Sequence, residues 1–279
     1  MQPVASPASK MSICIVSGGD EIRSRAYVNQ AIYAREWDLD YRLEIAVAPG
    51  VSDVFFYKTA IVRRIAPLYD WILWVDDDVY FTDFGRDGVR ELVDRAEAAG
   101  SFMVYAENPR EPNGSWSRIN AGVFMLKNDQ RTFRFLDEIV EGNLQATRDW
   151  WDEDVHGMQS GGDQDIQLWA LHHLGLAEDA LVVDHRDLNS RWHYYANGLS
   201  DAFLCHFCGH YDKKLSVALF GRRFGVGQEL VPSDLLDKYS VRRRDPMGEI
   251  EYKARFFRWN AVGFLKPYVK PVLDVYRGR

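Results

Sequence analysis

From Trp71 to Val75 five apolar residues run without interruption, Asp76, Asp77 and Asp78 follow directly, and the chain turns apolar again at Val79-Tyr80-Phe81. An unbroken apolar run of this length predicts a strand covered on both faces. Around it, hydrophobic spacing alternates between strand-like and helix-like stretches. Strands are predicted over 12–17, 41–47, 101–106, 122–126, 181–183 and 202–205, and helices over 22–37, 54–68, 86–99, 130–141 and 164–174. Gly18-Gly19 closes the first strand and Gly100 ends the helix that starts near 86. Alternating strands and helices imply an α/β fold, with a mostly parallel central sheet flanked by helices. There is no internal repeat and no long low-complexity linker. The expected partition is a disordered lead-in over 1–10, a compact α/β body over 11–241 and a basic amphipathic C-terminal helical extension over 242–279.

Composition narrows the class. The chain has 279 residues, 47% hydrophobic and 27% charged, which is ordinary for a globular protein with a sizeable core. No stretch reaches the ~20 consecutive apolar residues of a membrane-spanning helix. The lead-in is rich in Pro, Ala and Ser and lacks the apolar centre of a secretory signal. Three cysteines (Cys14, Cys205, Cys208) make no disulfide framework, which fits a reducing cytoplasm. The net charge of −7 is uneven: residues 242–279 carry ten Lys and Arg against four Asp and Glu. The remainder holds 24 Lys and Arg against 37 Asp and Glu, and so acidic a body excludes a general nucleic-acid binder.

The candidate chemistry gathers around acids. Three adjacent carboxylates repel one another unless a cation sits among them, and a divalent ion bridging them to a phosphate resolves the conflict. Asp76 and Asp78 project to one side if strand geometry continues through them. The alternative is an exposed acidic turn, which leaves unexplained its position at the carboxyl end of so apolar a strand, where open α/β sheets bind ligands. Asp163 and Asp165 follow the Gly161-Gly162 turn into a helix, as N-capping acids or as substrate contacts. Cys205 and Cys208 beside His206 and His210 suggest zinc, but two cysteines without a second ligand pair argue against a structural site.

Six short segments, in order, resemble glycosyltransferases of the GT-A fold, closest to the retaining α-galactosyl- and α-xylosyltransferases of glycosyltransferase family 34. They are Phe56-Tyr57-Lys58, Asp76-Asp77-Asp78, Asn120-Ala121-Gly122 through Lys127-Asn128, Gly162-Asp163-Gln164-Asp165, Arg186-Asp187-Leu188-Asn189-Ser190 and His206-Phe207-Cys208-Gly209. The resemblance spans roughly 12–214 and implies a Rossmann-like GT-A sheet. It implies that Asp76, Asp78 and His206 hold a metal, and that mixed carboxylate and imidazole ligands favour Mn²⁺ over Mg²⁺. Ser17, Gly18, Lys58, Asp77 and Lys213 are the residues expected on the nucleotide and phosphates of a UDP-sugar donor. The family's lysine beyond the His-Phe-x-Gly turn is matched only by the displaced Lys213 and Lys214. Asp163 and Gln164 are expected to face the sugar. Asn120 and Asn189 stand as sugar hydrogen-bond partners, and Trp151 and Trp192 either stack on acceptor sugars or belong to the core.

The expected activity is metal-dependent, retaining transfer of galactose, glucose or xylose from a UDP-sugar to a glycan or glycolipid hydroxyl. One rival is a catalytically silent carbohydrate-binding protein on the same fold. Another is a phosphohydrolase of the haloacid dehalogenase type, whose Asp-x-Asp motif usually lies nearer the N-terminus. In the basic extension Ile250, Ala254, Phe257, Ala261 and Phe264 recur at helical spacing among Arg243, Arg244, Lys253, Arg255, Arg258, Lys266 and Lys270. That pattern fits a helix lying on an anionic membrane surface, or equally one docked on the acidic body. The corresponding location is cytoplasmic, peripheral to the inner face of a membrane if the first reading holds.

Overall fold

The computed structural model describes residues 11–45, 56–142, 144–245 and 247–276, with side chains as far as residue 263. The predicted lead-in lies outside them. Contacts divide the chain into two compact units, Met1–His206 and Phe207–Arg279. Among the described residues no helix is long and apolar enough to cross a membrane.

The first unit is built on six strands: β1 (Ile13–Gly19), β2 (Asp40–Ile45), β3 (Trp71–Asp76), β5 (Met103–Ala106), β6 (Val123–Lys127) and β7 (Ala180–Val183). Their order across the sheet is β2-β1-β3-β6-β5-β7, and β6 alone runs antiparallel to its neighbours. The predicted mostly parallel α/β sheet is present. Residues of β3 alternate between two hydrophobic clusters, with Ile72 and Trp74 in one and Trp71, Leu73 and Val75 in the other. This two-sided burial is the reason the run shows no polar position. Both indoles find acceptors, Trp71 Nε1 on Glu97 at 2.8 Å and Trp74 Nε1 on Asp76 at 2.7 Å.

Helices α1 (Ala26–Glu36), α2 (Tyr57–Ile65), α3 (Gly88–Ala99), α4 (Gln130–Val140) and α7 (Asp163–His173) cover the sheet. The predicted first helix starts four residues late, because Arg23 pairs with Asp20 and Glu21 at 2.5 and 2.9 Å and holds an irregular approach. Gly100 closes α3 in the left-handed region, at φ 67°, as its position in the sequence predicts. Short α5 (Leu144–Trp150), α6 (Glu153–His156) and α8 (His185–Leu188) are additions to the predicted set.

The largest departure concerns the acidic strand. It stops at Asp76; Asp77 and Asp78 form a turn, and β4 (Val79–Phe81) pairs antiparallel with β8 (Leu204–His206) in a separate two-stranded sheet. That sheet carries His206 opposite Val79.

In the second unit α9 (Lys213–Phe224), capped by Asp212 on Leu215 N at 3.0 Å, precedes α10 (Ser233–Lys238) and α11 (Glu249–Tyr276). Helix α11 leans on its own unit: Arg222 covers the Tyr252 ring at 3.8 Å and Arg255 pairs with Asp212 at 2.7 Å.

Candidate active site

The acidic turn is clamped from below by α1. Gln30 donates to the carbonyls of Asp76 and Val79 at 3.3 and 2.9 Å, while Asn29 both donates to and accepts from the Phe81 backbone at 2.9 and 2.7 Å. The two amides occupy an otherwise apolar helix face, and both are fully buried. They hold a tight reversal that ordinary strand geometry does not supply. The reversal, rather than strand alternation, brings Asp76 and Asp78 together. Their carboxylate oxygens and a His206 ring nitrogen lie within 4.8 Å of one another.

Two carboxylates and an imidazole at that spacing are a donor set suited to a divalent transition ion. Asp78 and His206 are 3% and 2% exposed, with His206 Nε2 3.2 Å from Asp78 Oδ1. Gly122 makes room for the imidazole, since a Cβ there would stand 2.2 Å from His206 Cε1.

Beside this set lies a chain of opposite charges. Lys58 Nζ is 3.3 Å from Asp76 Oδ1 and 2.9 Å from Asp163 Oδ2, and it donates to the Ala121 carbonyl at 3.0 Å. Burial pushes the Lys58 ammonium down, but Asp163 and Asp76 outweigh it and the group is held well above the usual lysine range. Burial pushes the Asp163 carboxyl up, against the opposing pull of Lys58. The two acids entering α7 divide their work. Asp165 accepts from Ser160 N, Ser160 Oγ and Gly161 N at 3.1, 2.7 and 2.6 Å, holding the turn in which Gly161 has φ 78°. Asp163 is the first helical residue and faces Lys58.

At the end of β1 a shallow open cleft is lined by Ser17, Gly18, Ile22, Tyr27 and Asp77 among others. Gly18 is required by β2, for a Cβ there would meet the Glu44 carbonyl oxygen at 2.2 Å. Asp77 points its carboxylate to Arg23 at 3.6 Å, and its carbonyl accepts from Ser24 Oγ at 2.5 Å.

The other predicted residues are placed as follows. Gln164 is half-buried and donates to Ser117 Oγ at 3.2 Å. Asn120 accepts from Gly122 N at 3.0 Å. Asn189 is only 1% exposed, and its amide bonds to Asn120 and to His206 inside the protein. Trp151 bonds the Gly157 carbonyl at 2.9 Å and adjoins Trp150 and His156, whereas Trp192 is 41% exposed. Lys213 opens α9 in the second unit. Arg63, paired with Asp137, is a surface residue. Sequence reasoning missed Asn29, Gln30, Trp74 and Arg191; the only signal was the polar Asn29-Gln30 pair within a helix whose other inward positions are apolar.

No family model matches the chain. Galactomannan galactosyltransferase 1 of Cyamopsis tetragonoloba is 28% identical over 123 residues, 43% of this chain and 27% of its own length. Glycosyltransferase 6 of Arabidopsis thaliana is 26% identical over 148 residues, 48% of this chain and 34% of its own. The chain thus matches about a third or less of the length of these curated relatives. Among solved structures, a glycosyltransferase involved in the glycosylation of the major capsid of PBCV-1 superposes with a TM-score of 0.54 at 17% identity, over 79% of this chain and all of that one.

Proposed function

Starting from a GT-A fold that resembles the glycosyltransferases of family 34, we propose that this chain is a metal-dependent, retaining glycosyltransferase. In this reading it moves galactose, glucose or xylose from a UDP-sugar to a glycan or glycolipid hydroxyl. The observation that carries it is the Asp76–Asp78–His206 donor set at the carboxyl end of β3, beside the Ser17–Gly18 cleft and the Lys58–Asp163 pair. Asp76, Asp78 and His206 would hold Mn²⁺ or Mg²⁺, which supplies Lewis-acid stabilisation of the departing diphosphate.

The remaining work falls to the chain's own groups. Ser17, Gly18 and Asp77 line the cleft assigned to the nucleotide. Lys58 pulls against the burial that raises the Asp163 carboxyl, and so favours its ionised form. An ionised carboxylate beside the sugar stabilises positive charge developing at the anomeric carbon. The test is UDP and GDP release from a panel of nucleotide sugars, with Mn²⁺ and with chelator. Slow release from one UDP-sugar that needs the ion and Asp163 is the expected result. No release from any donor would favour the silent carbohydrate-binding alternative.

The membrane reading rests on α11. Ile250 and Phe257 are 87% and 76% exposed, next to the exposed cations Lys253 and Arg258. An apolar and basic face of this kind suits an anionic bilayer surface. Ile250→Glu with Phe257→Glu should abolish co-sedimentation with phosphatidylserine vesicles; unchanged co-sedimentation would remove the idea.

A further inference from the structure

His206 offers a metal only one useful nitrogen, Nε2, which faces Asp78. A histidine ligates through a nitrogen that carries no proton, so the other nitrogen must hold it. We infer that Asn189, its amide fixed by Arg191 and Asn120, keeps the proton of His206 on Nδ1 and so presents Nε2 to the metal; this rests on the metal role proposed above.

The orientation of the Asn189 amide follows from its neighbours rather than from assignment. Arg191 can only donate, and its Nη1 lies 2.9 Å from Asn189 Oδ1 and 3.1 Å from the Asn189 carbonyl. The atom facing the guanidinium is therefore an oxygen. The opposite end gives the same answer. Asn120 Oδ1 accepts from the Gly122 backbone N–H at 3.0 Å, so the Asn189 atom 3.2 Å from that oxygen is the donor Nδ2. The same Nδ2 also reaches the Asn120 carbonyl at 3.3 Å. With both ends fixed, Asn189 Oδ1 is an acceptor, and His206 Nδ1, 3.0 Å away, must donate to it.

Arg191 itself is anchored. It is 2% exposed, its Nε lies 3.1 Å from Glu111 Oε1, and Nη2 donates to Asn108 Oδ1. A buried guanidinium is costly unless its donors are satisfied. Here three side chains from the 108–111 loop and Asn189 satisfy it, and the product is a rigid amide behind the ligand histidine. Glu111, Arg191, Asn189 and His206 thus form one hydrogen-bonded line: Arg191 donates to Glu111 and to Asn189 Oδ1, which also accepts from His206 Nδ1 and leaves Nε2 bare toward Asp78. Asn189 and Arg191 act as positioning residues, not as ligands.

Two measurements test this in the full chain. In metal-free protein with ¹⁵N-labelled histidine, the His206 ring should carry a proton on Nδ1; a bare Nδ1 with the proton on Nε2 overturns the inference. Mn²⁺ affinity, read from the electron paramagnetic resonance signal of the free ion, should weaken ~10- to 100-fold in Asn189→Leu. Asn189→Asp, which keeps the acceptor, should stay within a few-fold of wild type. Equal affinity in wild type and a folded Asn189→Leu overturns the inference while leaving the metal reading intact. Failure of wild type to bind Mn²⁺ at all overturns the metal reading instead, and the ring-proton measurement, which needs no variant, still decides the position of the proton.

Discussion

Lys58 Nζ sits 2.9 Å from the carboxylate of Asp163, with the two side chains 12% and 9% exposed. The same ammonium touches Asp76 at 3.3 Å, so one lysine links the metal-type cluster to the acid that opens α7. Removing one partner of a buried ion pair strands the other's charge. Lys58→Met should therefore destabilise the fold by about 3 kcal/mol or more. It should also raise the Asp163 carboxyl further, moving the acid limb of the rate profile upward in pH. Chemical unfolding and a pH–rate series check both parts; an unchanged acid limb would detach Lys58 from Asp163's ionisation.

The two acids of the Gly161-Gly162 turn should separate cleanly. Asp165→Asn weakens three bonds to Ser160 and Gly161, and should cost about 1–3 kcal/mol in stability. Asp163→Asn leaves those bonds intact and should remove turnover, its stability cost arising from the unpaired Lys58 ammonium rather than from the turn. Thermal melts and donor hydrolysis on the two variants distinguish the roles, and a reversed pattern would exchange them.

Gly122→Ala introduces a Cβ only 2.2 Å from His206 Cε1 and 3.0 Å from Asn120 Oδ1. The imidazole has to move, so Mn²⁺ affinity should fall by roughly 10-fold or more. The sheet should persist, because the clash is with side chains. Retained affinity would show that His206 has room this packing does not display.

A pH effect is expected away from the acids. His156 stacks on Trp150 at 4.2 Å and lies 6.0 Å from His172. Burial lowers His156 below its ordinary 6.5, helped by His172 and Arg118, and burial and Arg118 lower His172 likewise. Folded, both rings bind a proton less readily than when unfolded. Stability is therefore complete above 6.5 and declines as pH falls from there toward the lowered values. The melting temperature should drop between about pH 7.5 and 5.5, and by less in His156→Gln. An equal drop in that variant would place the titrating group elsewhere.

Much of this architecture is legible in the residues because burial is written in hydrophobic spacing. Strand β3 was predictable from its unbroken run, and Gly100 announced the end of α3. What escaped depends on tertiary partners. Strand β4 is three residues long, too short for a period to show, yet its pairing with β8, expected as a strand over 202–205, carries His206 to the acids. The convergence of Asp76 with Asp78 was expected from strand alternation but arises from a turn that Asn29 and Gln30 brace across about 50 residues of sequence. Asn189 reads as a polar group beside apolar runs; only its contacts with Arg191 and His206 reveal what it holds. Asp163 and Asp165 look interchangeable in sequence and are divided by Lys58, a residue more than 100 positions away.

The most direct test of the central claim is a calorimetric titration of UDP into the protein with and without Mn²⁺, for wild type and Asp78→Ala. Wild type should bind UDP tightly only with the ion, and Asp78→Ala should lose the ion's contribution while keeping its fold. Equal UDP binding by both proteins, indifferent to Mn²⁺, would contradict the assignment of Asp76, Asp78 and His206 as the anchor for a metal–diphosphate complex.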